Sequence, residues 1–250
     1  MSQRVNAIAN GYLILKSLAT QSEEQGVTEI ANATRISPSS CFNILRTLVD
    51  LDLAAFDEKT KRYSLGLGIF ELARNGLSHD SVLAAAQPML ITLAQRHNAT
   101  LSLWDIVNET EAVLIAMGEN SAAARVSLQI GSRQPLGAGA TGRANLSMHQ
   151  ENIPWMKAKF AEVTWQGPIT FDEYLSDIHQ AQELGYAIDR DRFNLGISTV
   201  AAAFDERKTG RRYCLTAVLL SGAHDDDSIH VVGCDLKSAA SELANFAREN

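Results

Sequence analysis

The apolar residues Val5, Ile8, Ala9, Tyr12, Leu13, Leu15 and Leu18 recur mostly three and four apart, which predicts an amphipathic helix over residues 5–19. Residues 20–26 are polar and end on a glycine, the composition of a loop. A short helix follows over 27–34, with Ile30, Ala31 and Ala33 on its inner side. Arg35 and Ile36 make a tight connection, and Ser37-Pro38 marks the next helix start. Serine at an N-cap accepts from a first-turn amide, and proline at the first helical position has no amide to leave unpaired. That helix carries Cys41, Ile44, Leu45 and Leu48 as an apolar stripe. Two short apolar runs, 53–56 and 63–65, then flank a charged turn from Asp57 to Arg62, the pattern of a β-hairpin.

Beyond residue 66 the period changes. Leu67, Ile69, Phe70, Leu72 and Ala73 predict a linking helix, broken at 78–80, and a further helix runs over 81–97. Strands are expected over 101–107, 112–117, 125–130, 186–188, 197–204 and 213–220, and helices over 139–150, 171–184 and 235–248. Strand runs with helices at both ends give an α+β class. The expected organisation is a winged helix-turn-helix over 1–66, a linker helix over 67–80 and a second domain over 81–250.

The polar residues off the second stripe change the picture most. Ser39, Ser40, Asn43 and Arg46, with Phe42, lie away from the core, and Ser37 stands at the helix start. A short helix, a tight turn and a second helix with small polar groups near its start form the helix-turn-helix layout, whose second helix enters the major groove of DNA. Asparagine pairs with adenine, arginine with guanine, and serine with a base or a phosphate. Lys59, Lys61 and Arg62 place positive charge on the hairpin, suited to lie along phosphates.

The net charge of −7 excludes affinity for nucleic acid through overall charge. Residues 1–80 hold eight Lys/Arg and nine Asp/Glu, so most of the excess acid lies elsewhere. No apolar stretch reaches the length of a membrane span, and the first ten residues do not read as a signal peptide. Cys41, Cys214 and Cys234 are odd in number and widely spaced, which fits a reducing cytoplasm.

These residues resemble the IclR-type regulators over nearly the whole chain. The likeness is carried by 27–48, Leu53-Ala54, Tyr63-Ser64-Leu65-Gly66, Gly131-x-x-x-Pro135-Leu136, Gly142-Arg143-Ala144, Gly185-Tyr186-Ala187-x-Asp189, Leu195-Gly196-Ile197, Ala201-Ala202-Ala203 and Ser221-Gly222. The chain departs from the family at Asn43, commonly basic there, and at Gly137, where the family has Pro-Leu-His. The resemblance implies a GAF-like sheet that binds a small effector, a double-stranded DNA operator as partner, and a homodimer or tetramer. No cofactor and no metal is expected.

Gly137-Ala138-Gly139-Ala140-Thr141-Gly142 matches G-x-G-x-x-G, but Ser132-Arg133-Gln134-Pro135-Leu136 stands between it and the preceding predicted strand, and no ribose-binding acid follows at the right distance. A dinucleotide site is therefore disfavoured. Amides at a glycine-rich helix start do favour an anion, so Ala140, Thr141 and Gly142 are expected to hold an effector carboxylate. By resemblance the other effector positions are Asp189, Thr199, Leu219 and Ser221, with Leu219 favouring a larger or aromatic acid. The run from His224 to His230 carries metal-ligand types but has turn composition, and reads as a solvated loop. A transcription repressor tuned by a small organic acid is the expectation. An enzyme on the same sheet, with no nucleophile–base pair visible, and a partner-binding adaptor are the alternatives.

Overall fold

A computed structural model describes residues 5–77, 81–120, 128–149 and 152–246. The chain divides into two compact units, Met1–His79 and Asp80–Asn250.

The first unit opens with α1 (Asn6–Thr20), α2 (Val27–Thr34) and α3 (Pro38–Asp50). Ile14, Leu18, Ile30, Cys41, Leu45 and Leu48 close into one core. The turn between α2 and α3 is tight because Arg35 adopts a left-handed conformation and Ile36 N–H returns to the Ala31 carbonyl at 3.1 Å. Strands β1 (Ala54–Asp57) and β2 (Arg62–Leu65) pair antiparallel, Phe56 opposite Tyr63. Gln25 adds a bridge to Tyr63, with bonds of 2.9 and 2.8 Å, so the hairpin is sewn to the loop before α2. Helix α4 (Gly68–Leu77) completes the unit.

The second unit begins with α5 (Ser81–His97), β3 (Thr100–Val107), β4 (Glu111–Gly118), β5 (Arg133–Pro135), α6 (Gly139–Ser147) and α7 (Ile153–Ala161). It continues with α8 (Phe171–Leu184), β6 (Ala187–Arg190), β7 (Ile197–Asp205), β8 (Arg212–Leu220) and α9 (Asp226–Phe246). The six strands form one antiparallel sheet in the order β5-β4-β3-β8-β7-β6. Side chains alternate between its faces. Val200, Ala202, Leu215, Ala217 and Leu219 join Leu90 of α5 and Leu236 of α9 in the main core. Ala201 and Cys214 face the other way, against Ala140 and Ala144 of α6.

Three expectations change here. The last helix starts at Asp226, so the acidic run after His224 is largely its first turn and not a solvated loop. Asp225 Oδ1 accepts the Ser228 amide at 2.9 Å, and acids favour a helix N-terminus. Helix α7, capped by Asn152 with Pro154 in its first turn, was not expected. Residues 125–127 of the expected 125–130 strand lie outside the described residues, and 128–130 are not strand.

Candidate DNA-reading surface and effector cavity

Helix α3 sets its outward stripe opposite Cys41, Leu45 and Leu48. Ser39, Asn43 and Arg46, at i, i+4 and i+7, are exposed, as are Ser40 and Phe42 beside them. An exposed phenylalanine on such a face suits a thymine methyl. Ser37 is engaged locally: its oxygen accepts the Ser40 amide at 3.3 Å and its hydroxyl lies 2.8 Å from Ser40 Oγ. With its proton given to Ser40, the capping serine has none to offer a phosphate, whereas Ser40 does.

The hairpin divides its three cations. Arg62 donates to the Glu24 carbonyl and, at 3.2 Å, to Glu29 Oε1, fastening the hairpin to the start of α2. The Gly26 amide bond first, and Arg62 second, hold the Glu29 carboxyl below its ordinary range. The phosphate contact expected of Arg62 thus competes with an internal clamp. Lys59 and Lys61 are exposed, Lys61 with its ammonium 5.7 Å from the Phe56 ring centre.

In the second unit a cavity of about 520 Å³ opens beside the first turn of α6. Trp104, Leu128, Phe193, Ile197 and Val218 give it apolar walls, and Gly139, Ala140, Thr141, Thr199 and Thr216 bring polar groups. First-turn amides have no partner within their own helix. The Ala140 amide lies 3.3 Å from Thr199 Oγ1, which leaves the threonine hydroxyl proton for a ligand. Thr141 and Thr216 pair through their hydroxyls at 2.9 Å, and Thr216 Oγ1 also lies 3.9 Å from Cys214 Sγ.

Four expected effector residues stand elsewhere. The Gly142 amide is spent on the Ala138 carbonyl at 2.8 Å. Its glycine serves packing: a Cβ there would stand 2.2 Å from the Gly137 carbonyl carbon. Leu219 points to the opposite sheet face, in the core against α5 and α9, because it pairs with Ser198 and not with Thr199. Ser221 follows the same parity and bonds Ser198 Oγ at 3.1 Å. Asp189 is buried and taken by Arg143 Nη1 at 2.7 Å and the Phe193 amide at 3.0 Å. Sequence reasoning missed Trp104, Phe193 and Thr216, which the fold brings to the cavity from three separate segments.

Arg143 has no exposed surface. It also bonds the Gly139 carbonyl and Asp177, each at 3.0 Å, and lies over the rings of Trp165 and Tyr174. Burial raises the Asp177 carboxyl, with Arg143 pulling the other way. Burial likewise pushes the Cys214 thiol up to about 12, which leaves it unreactive. Among the described residues no cluster of three metal-ligating side chains occurs, and no helix is long and apolar enough to cross a membrane.

A helix-turn-helix with a basic hairpin, carried in one chain with a sheet domain around a cavity, defines a DNA-binding transcription regulator. Two family models match the chain: the IclR helix-turn-helix domain over residues 7–58, and the bacterial transcriptional regulator IclR C-terminal domain over residues 75–244. The chain belongs to the IclR family. It is 28% identical over 200 residues to the HTH-type transcriptional repressor AllR of Escherichia coli (strain K12), covering 79% of this chain and 73% of that protein. An IclR transcriptional regulator from Alicyclobacillus acidocaldarius shares the fold at TM-score 0.80 and 23% identity, covering 98% of this chain and 100% of that one. An IclR homolog from Microbacterium hydrocarbonoxydans, complexed with 4-hydroxybenzoate, does so at TM-score 0.79 and 16% identity, over 98% and 100%.

Proposed function

We propose that the chain is a repressor that binds its operator as a homodimer and is controlled by a small aromatic carboxylic acid in the α6 cavity. The observation that carries the ligand reading is the pairing of first-turn amides and threonine hydroxyls with the apolar walls of Trp104, Phe193, Ile197 and Val218. The polar end suits a carboxylate and the walls suit a ring. The fold-level neighbour that carries 4-hydroxybenzoate supports the same chemistry. On DNA, Ser39, Ser40, Phe42, Asn43 and Arg46 read bases or adjacent phosphates, and Lys59 and Lys61 meet the backbone.

Gel shift on the promoter beside the gene, with benzoate, 4-hydroxybenzoate and short aliphatic acids added in turn, tests the reading. An aromatic acid is expected to change the shift. At about a hundredfold over Kd it adds about 2.7 kcal/mol of stability, a Tm rise on the order of 5–10 °C. A response to aliphatic acids alone rejects the aromatic assignment.

Exposed apolar side chains support the homodimer. Ile8 and Tyr12 on α1 are 74% and 63% exposed, and Phe70 on α4 is 77% exposed. Large exposed apolar patches mark contact surfaces. Glutamate at Ile8 and Phe70 together is expected to shift sedimentation to the monomer and weaken operator binding. An unchanged sedimentation coefficient would remove these helices from the interface.

A further inference from the structure

We propose that Arg143 and Asp189 are positioning residues of the effector cavity, which lock the first turn of α6 to the loop at Phe193 without touching the ligand. This rests on the cavity being the effector site. Gly139 and Phe193 both line the cavity, whereas Arg143 and Asp189 do not. Arg143 Nη1 bonds the Gly139 carbonyl at 3.0 Å and Asp189 Oδ1 at 2.7 Å. The other carboxylate oxygen, Oδ2, accepts the Phe193 amide at 3.0 Å. One guanidinium and one carboxylate therefore tie two walls that lie over fifty residues apart in the chain.

The tie is set from behind as well. Tyr174, whose ring lies 4.9 Å from the Arg143 guanidinium, donates its hydroxyl to the Gly137 carbonyl at 2.8 Å. Asp177 holds Arg143 Nε at 3.0 Å. Arg143 is wholly buried and Asp189 is 2% exposed, so water does not compete for the bond between them. The two walls are close: a Cβ at Gly139 would stand 3.4 Å from Phe193 Cδ1. An acid whose carboxylate reaches the α6 amides while its ring packs on Phe193 needs that spacing held. Binding to a pre-set pair of walls avoids the cost of ordering them.

Asparagine at 189 keeps the shape but turns an NH₂ toward one of the two donors in either amide orientation. Hydrogen exchange of the full-length chain carrying Asp189→Asn, with no ligand, is the first measurement. Exchange over 137–143 and 191–196 is expected to rise at least tenfold while β7 and β8 keep wild-type rates. Unchanged rates in those two segments, or equal acceleration everywhere, would overturn the pair. Should this variant fail to fold, Arg143→Met with Asp189→Leu removes both charges together, and the same segments are read.

The second measurement is calorimetric binding of 4-hydroxybenzoate, with Thr199→Val as a variant of a cavity-lining residue whose side chain bonds neither Arg143 nor Asp189. Weak binding by both Asp189→Asn and Thr199→Val supports the positioning role. Loss in Thr199→Val only overturns it and keeps the cavity. Wild-type binding in both variants overturns the cavity reading, and with it the positioning role. A wild-type chain that ignores this acid leaves the exchange result to decide the pair.

Discussion

Alanine at Asn43 and Arg46 is expected to abolish preference for the operator while a scrambled duplex is still bound. Each base-reading side chain contributes about 1–3 kcal/mol of discrimination, so each loss costs roughly ten- to a hundredfold in operator affinity. Both residues are exposed on α3, outside the core of Cys41, Leu45 and Leu48, so the fold survives their truncation. The hairpin lysines act differently. Alanine at Lys59 or Lys61 should weaken operator and scrambled duplex alike, and lower the salt slope by about 0.9 per lost phosphate contact. Alanine at Arg62 should change the slope less, because its guanidinium is already held by Glu24 and Glu29. Anisotropy titrations on both duplexes across a salt series separate the three outcomes. Equal loss on both duplexes for Asn43→Ala and Arg46→Ala would move these residues from base reading to phosphate contact.

The local signals were legible in the sequence, and the long-range ones were not. Ser37-Pro38 and the apolar stripe at Cys41, Ile44, Leu45 and Leu48 define α3 from a few neighbouring residues. A charged turn between apolar runs is enough to place β1 and β2. The start of α9 was also written locally, in Asp225 as cap followed by two more acids, but an acidic run reads equally well as a turn. Pocket membership depends on sheet register. Leu219 and Val218 differ by one position and stand on opposite faces, and only the pairing of Thr199 with Val218 decides which faces α6. The bond from Asp189 to Arg143 spans 46 residues, and no spacing rule would reveal it. Asp189 was accordingly expected to meet the effector, where the fold gives it to a buried arginine.

That buried pair sets the largest expected effect on stability. Arg143→Met should cost about 3–5 kcal/mol, because it leaves the Asp189 carboxylate buried without its cation. The double variant with Asp189→Leu should cost less than the single one. It removes both desolvated charges, at the expense of the Phe193 amide, whose lost acceptor is worth about 1–3 kcal/mol. The wild-type arrangement is also imperfect: Arg143 Nη2 has no hydrogen-bond acceptor among the described residues, an unmet donor that methionine would not carry. Denaturant titrations of the three chains are expected to rank wild type first, the double variant second and Arg143→Met last. With Asp189→Leu alone titrated as well, a double variant as unstable as the sum of the two single substitutions would mean that the charges act independently. The expected ranking instead assigns the pair a small net share of stability. Its main consequence is then geometric, since charges that could be replaced by packed apolar groups at modest cost still fix where Gly139 and Phe193 stand at the cavity.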